Sequence, residues 1–74
     1  MDKIKRLNKR VYKKIKFSLL EKNFSQKEVA ERADMSASYF CRCLKSLEEG
    51  KSILTETIFK IAGALEIEPA ELFK

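Results

Sequence analysis

The chain of 74 residues contains no histidine and no tryptophan, and it has only two glycines, one proline and two cysteines. Each scarcity excludes something. Without histidine the commonest general base of enzymes is missing. Two cysteines alone cannot complete a zinc site. Cys41 and Cys43 fall about 200° apart on a helix, so they cannot bridge each other. Cys43 reads as a small buried residue and Cys41 as a more exposed one. The few glycines and prolines, with few β-branched runs, argue for helices and against a sheet. No Gly-rich phosphate loop is present. No apolar run approaches the ~20 residues of a membrane span. The N-terminus lacks the apolar block of a signal peptide, so the cytoplasm is the expected location. A chain this short makes one domain at most and can hardly build a sizeable concave pocket. Glu48 and Glu49 read as a solvated pair, and Ser36 and Ser38 have no evident base near them. Neither enzyme activity nor a metal or cofactor is expected.

What is present is charge, unevenly placed. Charged residues make up 36% of the chain and the net charge is +5. Residues 1–20 hold eight Lys or Arg against one acid, whereas residues 21–74 hold eight against ten. A one-sided basic stripe points to a polyanion, most commonly nucleic acid. Ile4, Leu7, Val11, Ile15 and Leu19 recur every three or four residues within the same stretch. They predict one amphipathic helix from about residue 2 to about 22, stopped near Asn23. Its basic side chains are expected to add sequence-independent affinity by reaching flanking phosphates. Lying on an anionic membrane is less suited to a helix without tryptophan and with a folded motif behind it.

Residues 25–44 read as two short helices joined by a tight turn. Ser25 and Glu28 form an S-x-x-E capping box, which starts a helix at Gln26. Val29, Ala30 and Ala33 make its inner face. Asp34 sits where the chain reverses, and aspartate tolerates the left-handed conformation. Ser36 is a ready N-cap for the next helix. Phe40, Cys43, Leu44 and Leu47 then point inward, and Gly50 suits the helix end. The outer face keeps Ala37, Ser38, Tyr39, Arg42 and Lys45. These residues are small, hydrogen-bonding or basic, which suits a helix entering a DNA major groove. Ser52 or Thr55 is expected to cap a fourth helix with Ile58, Phe59, Ile61, Ala62 and Leu65 on its buried side. Glu68 and Pro69 would open a short fifth helix, with Leu72 and Phe73 exposed or half-covered.

Residues 11–73 resemble the lambda-repressor-like helix-turn-helix family, of the Cro and phage-repressor type. The likeness is carried by Ser25-Gln26, Ala30 and Met35-Ser36, then by Ile58-Phe-Lys-Ile-Ala62 with Ala64-Leu65, and by Pro69-Ala-Glu-Leu-Phe73. It implies an all-α fold of five helices, here with an extended basic first helix. The whole chain would form a single helix-turn-helix domain, with residues 1–10 as a helical extension about which the family says nothing. About three extra residues follow Met35, which lengthen either the recognition helix to 36–48 or the loop after it. Asp34 replaces the glycine common at the turn. Leu19 and Leu44 occupy positions where relatives often pair an arginine with a glutamate, so the two leucines should touch.

The resemblance implies a sequence-specific double-stranded DNA-binding regulator, most often a repressor. Gln26 would contact a phosphate or a base edge. Ala37, Ser38, Tyr39 and Arg42 would face the groove, with Arg42 suited to guanine and Ala37 to a thymine methyl. Lys45 and Ser46 would reach the backbone. Tyr39 could instead merely cover the core edge. A homodimer is expected on palindromic half-sites. Its surface would be Ile67, Leu72 and Phe73 on the fifth helix, or Ile4, Leu7 and Val11 on the first. The other reading is a protein-interaction module of antitoxin or anti-repressor type, because only one arginine lies among the groove-facing residues.

Overall fold

The computed structural model describes residues 2–74. Asp2 accepts a hydrogen bond from the Ile4 amide and starts α1, which spans Lys3–Lys22. Then come α2 (Gln26–Arg32), α3 (Ala37–Glu48), α4 (Thr55–Ala64) and a 3₁₀ turn (Pro69–Phe73). No strand occurs among the described residues. The all-α class expected from the sequence therefore holds. The expected fifth helix is a single 3₁₀ turn, short enough for that tighter geometry.

One apolar cluster binds the elements. α1 packs against α3 and the 3₁₀ turn, α2 against α3 and α4, and α4 against the turn. Phe40, Ile15, Leu47, Ile61, Leu65 and Leu72 are the largest fully buried side chains. Leu19 and Leu44 both lie in this cluster, at 6% and 5% exposure. The two apolar residues thus occupy the interior where a charged pair would need compensation.

All four α-helices end in the same way. The amides of Phe24, Met35, Lys51 and Ile67 each donate to the carbonyl five residues back. The residue before each is left-handed: Asn23 (φ 58°), Asp34 (58°), Gly50 (85°) and Glu66 (61°). This is the Schellman closure, which normally favours glycine. Phe24, Met35 and Ile67 then pack half-buried against the core. Lys51 cannot do this. At that end Asn8, itself buried, donates through Nδ2 to the Gly50 carbonyl (3.1 Å) and to Ser52 Oγ (3.0 Å).

Several expectations need correcting. Neither Ser52 nor Thr55 caps α4; Leu54 holds the N-cap position without a side-chain bond, and Ser52 is engaged by Asn8. Glu68 supplies no side-chain cap either, although Pro69 opens the turn as expected. Phe59 is 54% exposed, because it follows Ile58 by 100° around the helix and leaves the buried side. Leu72 is completely buried, since the turn folds back onto α1 and α4. It therefore cannot serve a dimer surface with Ile67 and Phe73. Val11 is likewise completely buried, which removes it from the proposed surface with Ile4 and Leu7. Ile4 is exposed and Asn8 takes its place toward the interior.

Candidate nucleic-acid interface

The site is built on two caps and a turn. Ser25 Oγ accepts from the Glu28 amide (3.0 Å), and the Glu28 carboxylate accepts from the Ser25 amide (3.1 Å). This reciprocal box fixes the start of α2 and presents Gln26 at its first position, exposed. Asp34 turns the chain, and Ser36 Oγ accepts from the Tyr39 amide (3.1 Å) to start α3. Val29 and Ala30 of α2 and Phe40, Cys43, Leu44 and Leu47 of α3 are buried. The opposite side of α3 is turned outward as a consequence.

Ala37, Ser38, Arg42 and Lys45 are exposed on that side, and Ser46 is half-buried. Tyr39 is half-buried, and its hydroxyl lies 3.3 Å from Thr57 Oγ1 on α4. The Arg42 guanidinium carbon sits 5.8 Å from the Tyr39 ring centroid, within cation–π range. Tyr39 thus both closes the core edge and supports Arg42.

A groove runs along each flank of α3. One is lined by Tyr39, Arg42, Cys43, Ser46 and residues 52–54. The other is lined by Tyr12, Lys16, Gln26, Cys41, Leu44, Lys45 and Glu48. Gln26, Lys45 and Lys16 therefore share one edge, and Arg42, Ser46 and Ser52 the other. Lys16 and Ser52 were not singled out from the sequence as site residues. Only the packing of α1 and of the α3–α4 connection beside α3 brings them in.

Burial pushes the Cys43 thiol above its ordinary range, against the lowering influence of Tyr39 and Arg42. Cys43 is consequently a packing residue, while Cys41 stands exposed in the second groove. Burial, reinforced by the adjacent Glu48 carboxylate, raises the Tyr12 hydroxyl as well. Tyr12 stays neutral beside the site until strongly alkaline pH.

Two helices locked by a capping box, a left-handed turn and a shared core, with a polar outer face on the second, define a helix-turn-helix. The family model for the helix-turn-helix matches residues 15–72, and the chain belongs to this family, in its lambda-repressor-like form. Comparison with curated proteins gave no match, and comparison with solved structures gave none. Membership supports a DNA-binding helix-turn-helix regulator. Among the described residues no helix is long and apolar enough to cross a membrane.

Proposed function

We propose that the protein is a sequence-specific transcriptional regulator, a repressor, that reads double-stranded DNA by inserting α3 in the major groove. The observation that carries this reading is the outer face of α3, where Ala37, Ser38, Arg42 and Lys45 stand exposed on a rigidly capped helix. Arg42 is the principal base reader, through a bidentate contact to guanine. Ala37 and Ser38 approach the base edges at the helix N-terminus. Tyr39 holds Arg42 in place and offers its ring edge to the groove. Gln26, Lys45 and Ser46 bind the backbone on either side, joined by Lys16. One α3 reads about half a turn of duplex, so two copies occupy a palindrome with half-sites ~34–36 Å apart.

Selection of binding sites from random duplex DNA tests this directly. It is expected to return a palindrome with a guanine in each half-site. Arg42→Ala should then weaken specific binding by ~1–3 kcal/mol and relax selectivity at one base pair. An equal loss on specific and random DNA would reassign Arg42 to a phosphate. Failure to select any sequence at low salt would favour the protein-interaction reading instead.

A further inference from the structure

We propose that the outward face of α1 is a self-complementary docking surface centred on Phe17, and that its occupant is the same face of a second copy of this chain. Phe17 and Leu20 are 62% and 80% exposed on adjoining turns of α1. Burial of Val11, Ile15 and Leu19 turns the other side of this helix to the core. The Phe17 face therefore points away from the interior, and it lines neither groove beside α3.

Beside Phe17 runs a groove lined by Lys14, Ser18, Glu21, Ile67 and Glu71. Its order along the helix decides the partner. Lys14 lies three residues before Phe17 and Glu21 four after it, both on the groove side. A two-fold axis through Phe17 runs the second α1 antiparallel and keeps that side in common. It sets Lys14 against Glu21 of the second copy, and Glu21 against its Lys14, because an isologous contact is made twice. Leu20, on the other flank, meets the aliphatic stem of the second copy's Lys13. Among the described residues, neither Lys14 nor Glu21 forms a salt bridge within the chain.

The mixture of signs selects this occupant over others. Nucleic acid or a purely acidic polypeptide would be drawn to Arg10, Lys13 and Lys14 but would leave Glu21 facing like charge. A second copy instead answers Lys14 with its Glu21 and Glu21 with its Lys14, and Glu71 is already paired with Lys74. Two exposed apolar side chains per copy make an interface below the ~1,200 Å² of a standard complex, so the dimer is weak. Adjacent half-sites would complete it by raising the effective concentration. The surface deepens the two-half-site reading above, and it is tested without DNA so that the two can fail separately.

The experiment is sedimentation equilibrium of the full chain up to millimolar concentration, with circular dichroism as the check on folding. The wild type is expected to dimerise reversibly. Lys14→Glu and Glu21→Lys should each weaken association by about tenfold, as two exposed ion pairs become two repulsions. The double variant K14E/E21K should regain wild-type association to within about twofold. Mixing the two single variants should also restore it, because each supplies the charge that the other lost. A wild type that stays monomeric, singles that associate as well as the wild type, or a double variant and mixture as weak as the singles would each overturn the proposal. DNA binding that fails while self-association persists would overturn only the DNA reading.

Discussion

At the residue scale, the site was legible wherever a side chain acts on its own backbone. Ser25, Glu28 and Ser36 do so within three residues, Asp34 needs only its own left-handed backbone, and a local code needs no knowledge of the rest of the fold. Asn8 was not legible. It interrupts an apolar stripe, and its partners lie 42 and 44 residues away. Leu72 was misread for the same reason, since what covers it comes from α1 and α4. The Leu19–Leu44 reading falls between these cases: both side chains are in the core, as a lost charged pair would require. Leu44→Glu is therefore expected to cost ~3–5 kcal/mol, because it buries a carboxylate without a partner. Urea unfolding of the variant measures this. A loss below about 1 kcal/mol would show that position 44 can reach water.

Among the elements, the four helix ends carry the comparison further. Three of them use a non-glycine residue in the left-handed region and an apolar latch after it. The fourth, after α3, has the glycine but Lys51 in place of the latch. Asn8 and Lys5 of α1 occupy that corner instead, and a Cβ on Gly50 would meet the Lys5 side chain. The contrast gives two substitutions of opposite sign. Asp34→Gly should raise stability by ~0.5–1 kcal/mol, because it relieves a left-handed aspartate whose side chain makes no hydrogen bond among the described residues. Gly50→Ala should lower it by ~1–2 kcal/mol, from backbone strain and displacement of Lys5. Thermal unfolding of the pair checks both, and equal effects would mean that the turns are not the source. The stripe period revealed α1, α3 and α4, yet it gave no sign of how α4 begins. Leu54 caps nothing, so no side-chain signal was there to read.

For the whole molecule, the basic charge that looked like one stripe in sequence is divided by the fold. Lys16 lies with Gln26 and Lys45 beside α3. Arg10, Lys13, Lys14 and Lys74 gather around Phe17. Only the first group is placed to follow a duplex held against α3. Lys16→Gln should accordingly reduce the slope of log affinity against log salt by roughly 0.9, one phosphate contact. Lys74→Gln, on the other side and already paired with Glu71 at 3.3 Å, should leave the slope unchanged. Titrations from low to moderate salt on a selected site read both. A drop for Lys74→Gln would mean that the duplex wraps farther around the protein.

The Asn8 bonds bear finally on how this chain can change in length. A solvated N-terminal arm would accept an inserted or deleted residue anywhere along it. Here each residue gained or lost between Asn8 and Val11 rotates the preceding turns of α1 by 100° relative to the core. Asn8 would swing off Gly50 and Ser52, and Lys5 would leave the corner that it fills. Length variation in this helix is thus confined to the residues before Lys5, where Ile4 stands exposed.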